Sequence, residues 1–438
     1  MRFKRFTAVL VACVLACSLL AGCGGGASSA PAASTPAAGS TPAEGGGAPE
    51  QVTIQVATWD YSSNPSTSNA VALFEKEHPD IKVEVIDIPS ADYQTKLSVM
   101  LNGGELDAYF IKEASSTLEY YDRGQLLDLS GYIAADGVDM SEYSGTDTPF
   151  NIDGKQLGMP VRTDYYVLFY NKDIFDDAGV AYPSNDMTWK EFEDLAMQLS
   201  GNGVYGAHFH TWQACVENWA VQDGEHTIMD YETGYDFFKP YYEMVLRLQE
   251  AGACQSFGDL QSGSIHYSGA FAAGNVAMLP MGTWYIATIA EAMKKGEANM
   301  DAWGVATLPH PDGVPAGYSV GATTPIAITP SSKNQDAAWE FVKFISSETG
   351  ALEYAKVGAV PGRLSDEILG QIASLDGMPE GLVEALQVKN IAPDRPIVPN
   401  VTEINTMLGQ EHSLIMLGEL SVDEGLAEMA ERAAEIMG

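Results

Sequence analysis

The chain has 438 residues, of which 46% are hydrophobic and 19% charged, and its formal net charge is −36 at pH 7. Such a charge repels nucleic acid and anionic substrates, so we expect a neutral or cationic ligand. A chain of this length is too long for one ordinary hydrophobic core and favours two lobes of about 150 to 200 residues each.

The N-terminal residues have the pattern of a secretory signal peptide, predicted over residues 1–22. Basic residues precede an apolar run that is shorter than a membrane-spanning helix. The sequence Leu20-Ala21-Gly22-Cys23 resembles the bacterial lipobox, which implies cleavage before Cys23 and lipid attachment (palmitate) to its thiol. The alternative is an ordinary signal peptide with Cys23 incidental. Residues 23–50, rich in Gly, Ser, Ala, Pro and Thr, are predicted to form a flexible tether.

The first folded segment alternates strand and helix patterns, with the second helix capped by Ser90. Strands are predicted near residues 52–59, 81–88 and 107–111, with helices at 68–78 and from 90 to 104. This order predicts a parallel sheet with helices on its faces, hence an α/β fold. Ligands bind at the carboxyl ends of such strands, which makes Trp59 and Asp60 candidates.

A second α/β unit starts in the middle of the chain. An extended apolar run lies within residues 154–175, and residues 188–191 form a capping box at the start of a helix. Further strands are predicted at 276–280, 303–307 and 325–329, and further helices after Thr283, at 334–346 and after a capping box at 421–424.

Three patterns in this part admit more than one interpretation. Cys215 and Cys254 can pair in an oxidising compartment, but two free thiols are favoured. His208 and His210 lack a visible third ligand, so a surface or cleft pair is favoured over a metal site. Residues 317–321 fit the G-x-S-x-G nucleophile pattern, but a strand follows where a helix is needed, so we expect a glycine-rich loop that approaches the ligand.

Seven ordered segments resemble the extracellular solute-binding proteins of family 1, which include maltodextrin-binding proteins. They are residues 73–83, 154–173, 188–192, 271–278, 282–284, 330–344 and 360–363. The resemblance implies a two-lobed, periplasmic-binding-protein-like fold with a hinge and a ligand cleft between the lobes. It also implies lobe 1 at residues 51–161 plus 303–350 and lobe 2 at residues 162–302 plus 351–438.

Sugar recognition uses aromatic rings and bidentate polar side chains. The family position implies a stacking role for Trp284 and a binding role for Asp107. Arg162, Asp164 and Tyr166 alternate, so a strand points them to one side, although an Arg162–Asp164 ion pair within a lobe is the alternative. The predicted ligand-binding residues are Trp59, Asp60, Asp107, Arg162, Asp164, Tyr166, Trp212, Trp284, Tyr318 and Arg363.

Together these observations predict a monomeric binding protein without cofactor, metal or catalytic activity, lipid-anchored on the extracellular face of the membrane. The resemblance implies that it delivers a carbohydrate, expected to be an oligosaccharide, to the permease of an ABC importer. A polyamine, an iron complex or another small solute is the alternative ligand. A tethered carbohydrate-degrading enzyme is a further alternative, but no pair of carboxylates stands out by its spacing.

Overall fold

The computed structural model describes residues 51–63 and 65–438. The predicted signal peptide, the predicted lipid-attachment residue Cys23 and the predicted tether lie outside these described residues. No helix in the described part of the chain is long and apolar enough to cross a membrane.

The strands begin with the parallel unit expected from the sequence, because β1 pairs in parallel with both β2 and β3. The second predicted strand has the predicted bounds. The strands are β1 Val52–Trp59, β2 Ile81–Ile88, β3 Ala108–Phe110, β4 Asn151–Ile152, β5 Lys155–Gln156, β6 Met159–Asn171, β7 Tyr205–Ala207, β8 Val276–Gly282, β9 Trp303–Thr307, β10 Tyr318–Ile328 and β11 Asn390–Pro393.

Two of the predicted helix starts are confirmed and one is wrong. Thr188 and Ser421 each form both hydrogen bonds of a capping box. Ser90 instead begins a short 3-10 turn, so the next helix starts three residues later.

The α-helices are α1 Pro65–Glu77, α2 Tyr93–Gly103, α3 Thr117–Asp122, α4 Ser130–Asp136, α5 Lys172–Ala178, α6 Trp189–Leu199, α7 Ala214–Val221, α8 Lys239–Glu250, α9 Phe257–Ser262, α10 Tyr267–Ala272, α11 Tyr285–Lys295, α12 Gln335–Ser346, α13 Glu348–Ala355, α14 Asp366–Ala373, α15 Leu382–Leu386, α16 Val401–Met416 and α17 Val422–Met437. Helices therefore dominate the last third of the chain, as the sequence indicates.

The long strands β6 and β10 cross the middle of the main sheet. The strand order is β2-β1-β3-β10-β6-β8-β7, with β9 also beside β6 and β11 also beside β10. β10 is antiparallel to both β3 and β6. Because β10 pairs with β3 near Ile326 and with β6 near Gly321, this strand connects the two halves of the sheet.

The hydrophobic core is divided between two lobes. Residues from β1 to β3, α1 and α12 form the core of the first lobe, whereas residues from β8, β9 and most later helices form that of the second. β6 contributes Val161 to the first core and Tyr165 to the second. Trp303, which the sequence analysis assigned to lobe 1, packs in the second core because β9 pairs with β6 there. The second crossing lies within β10, where Val320 packs in the second core and Ile326 in the first.

The predicted glycine-rich loop at residues 317–321 is mostly strand. β10 starts at Tyr318, and the buried Ser319 hydroxyl donates to the Tyr166 carbonyl oxygen over 2.6 Å. A Cβ atom on Gly321 would lie 2.1 Å from the Asp164 carbonyl oxygen. This glycine therefore permits close pairing of β10 with β6, rather than an approach of the backbone to a ligand.

Both described cysteines, Cys215 and Cys254, are buried free thiols in the second core. Burial raises the pKa of each thiol to about 12, which suppresses the reactive thiolate. We expect a thiol reagent to label neither residue in the folded protein and both after denaturation. A thiol titration with and without denaturant measures this, and a melting temperature that falls on addition of dithiothreitol would contradict it.

Candidate ligand-binding site

The carboxyl ends of the parallel strands face the second lobe. Ile111, just after β3, donates its backbone N–H to the Pro325 carbonyl oxygen on β10. Four residues earlier on β10, Gly321 pairs with Tyr165 of the second core. Trp59 ends β1, and its half-buried ring packs edge-on against Tyr93 with a centroid distance of 5.3 Å. Because it ends β1, Trp59 lies at the edge of the sheet that adjoins the second lobe, the position for which it was selected as a candidate.

Asp60 forms the turn that follows β1. Its φ angle of 49° lies in the left-handed region, which aspartate tolerates better than most residues. Its Oδ1 accepts the backbone N–H of Ser90 over 2.9 Å, and its own N–H donates to the Ile88 carbonyl oxygen over 3.1 Å. Asp60 therefore joins the carboxyl ends of β1 and β2 at the edge of the cleft.

Arg162 and Asp164 form an ion pair on β6, the alternative that the sequence analysis left open. Arg162 Nε lies 2.6 Å from Asp164 Oδ2, and Thr283 Oγ1 donates to Asp164 Oδ1 over 3.2 Å. Burial opposes the charge on Arg162, but the neighbouring Asp164 carboxylate raises the pKa of the guanidinium above its usual value. Through Asp164, the ion pair connects β6 to Thr283, the residue before Trp284.

An aromatic cluster lies beside this ion pair, formed by Tyr166, His210, Trp212, Tyr267 and Trp284. The Tyr166 and Trp284 rings pack edge-to-face at 5.4 Å, and Trp284 Nε1 donates to the Tyr267 hydroxyl over 3.1 Å. Trp212 lies 5.6 Å from the Tyr267 ring and 6.5 Å from the Trp284 ring. Trp212 is 40% exposed, so the cluster presents an aromatic surface to solvent.

The sequence analysis predicted three members of this cluster and missed Tyr267 and a role for His210. His210 packs edge-on against Trp212 at 4.5 Å and against Tyr267 at 5.3 Å. Tyr267 starts the short helix α10, which carries no sequence motif. The signal for His210 was the His208-Phe209-His210 pattern, for which the sequence analysis favoured a surface or cleft pair over a metal site.

The histidines near the cluster are neutral at pH 7. Burial, and to a lesser extent a neighbouring histidine, lowers the pKa of His208 and of His210 to about 4. Burial also lowers the pKa of His266, whose Nδ1 lies 2.7 Å from the Ser268 hydroxyl oxygen. Among residues 51–63 and 65–438, no group of three or more His, Cys, Asp or Glu side chains is arranged to hold a metal ion.

Asp394 and Arg395 follow β11 and were not predicted as site residues. The Arg395 guanidinium points into the second lobe, where Nη1 donates to Asn218 Oδ1 over 3.0 Å and Nε donates to Asn405 Oδ1. Its Nη2 lies 3.8 Å from the fully buried Glu217 carboxylate. Arg395 therefore fixes the segment after β11 against α7 and α16.

Asp394 precedes Arg395, and its backbone N–H donates to the Gly321 carbonyl oxygen over 3.1 Å. Burial raises its pKa, Arg395 lowers it, and the charge of Glu113 raises it further. The charge of Asp394 also contributes to raising the pKa of Tyr166 in the aromatic cluster. Glu113 follows β3, and the 3-10 turn after it packs on α16 of the second lobe. Glu113 therefore precedes a turn at which the first lobe contacts the second.

Three predicted residues make local contacts elsewhere. Asp107 precedes β3, at the end far from the second lobe, and its carboxylate accepts from the Gln55 N–H over 2.8 Å and the Ser332 hydroxyl over 2.5 Å. Tyr318 starts β10 opposite Asn390, and its carbonyl accepts from Gln222 over 2.7 Å. Arg363 Nη1 lies 2.6 Å from a Glu142 carboxylate oxygen. These contacts account for the side chains of Asp107 and Arg363 without a ligand, whereas those of Tyr318 involve its backbone alone.

Comparison with known proteins places this geometry in a family context. Residues 59–352 match the family profile described as bacterial extracellular solute-binding protein. A crystal structure of a sugar transporter from Rhizobium etli in an open conformation is 37% identical, with a TM-score of 0.80, and the match covers 87% of this chain and 99% of that one.

Two further matches extend over similar lengths. An ABC substrate-binding protein from Listeria monocytogenes, solved in complex with cycloalternan, is 26% identical with a TM-score of 0.73 over 89% of this chain and 99% of that one. The mannitol-binding protein of Pseudomonas aeruginosa is 23% identical over 427 residues, which cover 88% of this chain and 93% of the relative.

Proposed function

Because the chain belongs to the bacterial extracellular solute-binding protein family, we propose that it captures a carbohydrate outside the cell and delivers it to the permease of an ABC importer. The observation that supports a carbohydrate is the aromatic cluster beside the Arg162–Asp164 ion pair. Aromatic rings cover the apolar faces of sugar rings, and charged planar groups hydrogen-bond to neighbouring hydroxyls. An oligosaccharide is the ligand we expect.

Lobe closure is the capture step in this proposal. The first lobe contributes the ends of β1 and β3, and the second contributes the aromatic cluster, so a ligand between them contacts both. Closure is favoured by contacts that only the closed state makes. β6 and β10 cross from one lobe to the other near Arg162 and Gly321, and these crossings are the proposed hinge.

We further propose that the mature protein is a monomeric lipoprotein held on the extracellular face of the membrane. The support is the lipobox-like Leu20-Ala21-Gly22-Cys23 sequence and the polar, low-complexity residues that follow it. Two acyl chains are needed for stable anchoring, since a single chain binds a bilayer only marginally. Radiolabelled palmitate incorporated into the wild type but not into Cys23→Ser tests this step.

The proposed role is binding without catalysis. The buried Ser319 of the G-x-S-x-G pattern donates its hydroxyl hydrogen to a backbone carbonyl oxygen rather than to a general base. Arg162 and Asp164 are paired with one another, and an arginine and an aspartate do not form a nucleophile with its general base. Incubation with candidate oligosaccharides should therefore leave them intact. Chromatographic detection of cleaved products would contradict this part of the proposal.

A thermal-shift screen of the purified protein tests the ligand class. At a hundred times its dissociation constant, a ligand stabilises the folded state by about 2.7 kcal/mol. The screen compares mono- and oligosaccharides with polyamines, amino acids and iron complexes. A saccharide that raises the melting temperature supports the proposal. A response only to polyamines or iron complexes would replace the ligand class but keep the binding role.

Trp284→Ala and Trp212→Ala are expected to weaken saccharide binding by about 1 to 3 kcal/mol each, as loss of an aromatic anchor does. Because Trp212 is 40% exposed, its removal should leave the melting temperature nearly unchanged. Isothermal titration with a saccharide from the screen measures the affinity. Tyr182→Ala is the matched control, since that ring is 41% exposed but packs against Tyr170 and Phe175 outside the cluster. Wild-type affinity in both tryptophan variants would remove the aromatic cluster from the site.

A further inference from the structure

The Trp284 side chain is held in one orientation by groups of its own lobe. Its indole Nε1–H donates to the Tyr267 hydroxyl over 3.1 Å, and its ring packs edge-to-face with Tyr166 at 5.4 Å. The backbone is fixed as well, since the preceding Thr283 donates its N–H to the Tyr165 carbonyl oxygen over 2.9 Å. Trp284 is only partly buried, so the ring held by these contacts keeps a surface open to solvent.

Gly282 allows the indole to fold back over the end of β8. A Cβ atom at this position would lie 2.0 Å from Cζ3 of the Trp284 ring and 2.2 Å from Cη2, well inside carbon–carbon contact distance. Gly282 is paired with Tyr166 on β6, so a shift of the backbone to make room would disturb the pairing of the two strands. This orientation of the indole therefore requires glycine at position 282.

Tyr267 can hold the indole because its own ring is fixed on several sides. It packs against His266 at a centroid distance of 4.1 Å, and against His210 and Tyr285 at 5.3 Å each. The ring is also buried, so the hydroxyl has little freedom to move away from the indole of Trp284.

The hydrogen bond to Tyr267 occupies the polar atom of the indole. Tryptophan has a single side-chain donor and no acceptor, and in Trp284 that donor is directed at the Tyr267 hydroxyl. A ligand at this cluster therefore contacts Trp284 through the ring surface and not through the N–H. A ring that is already fixed loses less conformational freedom when a ligand packs on it, which favours binding.

We propose that Tyr267 is a positioning residue, which holds the Trp284 ring over Gly282 in the orientation that packs on a saccharide. This inference rests on the proposed function and adds to it how the aromatic cluster is prepared for its ligand. Because Tyr267 acts through Trp284, its hydroxyl contributes to binding only while the indole N–H is present. A hydroxyl that bonded to the ligand directly would contribute whichever residue stood at position 284.

Tyr267→Phe keeps the ring and removes the hydroxyl. We expect it to weaken saccharide binding by about threefold to tenfold, the usual range for one hydrogen bond, in a calorimetric titration with a saccharide that binds the wild type. Tyr285→Phe is the matched control, because its hydroxyl donates to the Ser268 carbonyl oxygen over 3.0 Å, and it should bind as the wild type does. Wild-type affinity in Tyr267→Phe, or an equal loss in the control, would overturn the proposal.

A second background separates positioning from direct contact with the ligand. Trp284→Phe has no indole N–H, so adding Tyr267→Phe to it should change the affinity by less than about twofold. If the full loss of about threefold to tenfold persists in this background, the hydroxyl contacts the ligand itself and the positioning role is wrong.

The indole resonance of Trp284 reports the hydrogen bond without any ligand. It is assigned in a ¹H–¹⁵N correlation spectrum as the indole signal that Trp284→Phe lacks. In Tyr267→Phe this signal should move upfield and its proton should exchange faster with water, whereas Tyr285→Phe should leave both unchanged. A signal that keeps its wild-type position and exchange rate in Tyr267→Phe contradicts the proposed hydrogen bond, and the proposal with it.

Gly282→Ala tests the orientation of the indole by a different route. The added methyl group overlaps the ring, so we expect the affinity to fall by about tenfold or more. In the Trp284→Ala background the same change should have no further effect, because the ring that it displaces is gone. A Gly282→Ala protein with wild-type affinity, or a further tenfold loss in the Trp284→Ala background, would also overturn the proposal.

The outcomes separate this inference from the proposed function. Wild-type affinity for a saccharide in Tyr267→Phe contradicts only the positioning role and leaves the carbohydrate-binding role intact. If no saccharide binds to the wild type, the proposed function itself fails, and the positioning role fails with it. Melting temperatures of all variants are recorded, so that a loss of binding through unfolding is recognised.

Discussion

Replacing Arg395 with alanine is expected to lower the free energy of unfolding at pH 8, where the wild-type Glu217 is mainly ionised, by about 3 to 5 kcal/mol, because the change removes the partner of a buried carboxylate. Arg395 Nη2 lies 3.8 Å from Glu217, a side chain with no exposed surface. The guanidinium also donates to Asn218 and Asn405, which would lose their charged hydrogen-bond partner. Urea denaturation, read from the midpoint at an unchanged slope, measures the loss.

Two further variants distinguish burial from charge in general. Arg123→Ala removes an ion pair with Glu119 in which both side chains are about half exposed, so it should cost less than about 1 kcal/mol. The double variant Arg395→Met with Glu217→Gln removes both charges and should regain most of the stability that Arg395→Ala loses. An Arg395→Ala protein as stable as the Arg123→Ala control would show that the buried pair contributes little.

Arg395→Ala should also weaken saccharide binding more than its effect on stability explains. Arg395 holds the segment after β11, which is hydrogen-bonded to Gly321 at the β10 crossing, so its loss loosens a segment beside the proposed hinge. Affinity measured well below the melting temperature separates this positioning effect from unfolding. Arg395→Lys retains the charge but not the planar fork and should recover stability only in part.

The sequence predicted the elements whose signals are local. Strand β2 follows from the alternation in residues 81–88, and the capping boxes at Thr188 and Ser421 follow from residues three positions apart. The helix that starts after Ser90 was misplaced at its N-terminus, since a 3-10 turn satisfies the first backbone groups there. The β10 strand was recognised only from Pro325 onward, because its glycines and serine resemble a loop.

The candidate site was predictable where residue type and strand position agree. Thr283, the residue before Trp284, donates to Asp164, so the strand pair selected by alternation and the tryptophan selected by family resemblance lie near one another. Asp107 was selected by its family position and Arg363 because it follows a turn. In the structure Asp107 accepts a hydrogen bond from Gln55, and Arg363 pairs with Glu142. Those partners lie far away in sequence, so the pairings depend on tertiary structure.

Asp394 and Arg395 were missed for the same reason. In sequence they are an ordinary charged pair between two prolines, with no periodicity or motif. The position of the Arg395 guanidinium depends on hydrogen bonds to Asn218 and Asn405, of which Asn218 lies far away in sequence. A single sequence contains the two charges but not the direction in which each one points.

Glu217 is expected to make folding stability fall as the pH rises from about 4.5 to 8. Burial raises the pKa of this carboxyl to about 7, although Arg395 and the Tyr242 hydroxyl lower it in part. A carboxyl whose pKa is higher in the folded than in the unfolded state binds more protons when folded, so its stabilising contribution is complete below about pH 4.5. That contribution declines above pH 4.5 and is lost as the pH rises through 7, and a shift of this size corresponds to about 3 kcal/mol.

The difference between wild type and Glu217→Gln isolates this contribution. His412, whose Nδ1 lies 3.1 Å from the Tyr242 hydroxyl, has the opposite effect, because burial lowers its pKa to about 3 and acid then destabilises the fold. Since both proteins contain His412, its contribution cancels in the difference to first order. The free energy of unfolding of Glu217→Gln, relative to wild type, should therefore rise by about 3 kcal/mol between pH 4.5 and pH 8.

Glu77→Gln, at an exposed position in α1, is the control, and its free energy of unfolding should change with pH in parallel with that of the wild type. A Glu217→Gln curve that is also parallel would mean that Arg395 keeps Glu217 ionised throughout, and that the pair is a permanent ion pair rather than a titrating one.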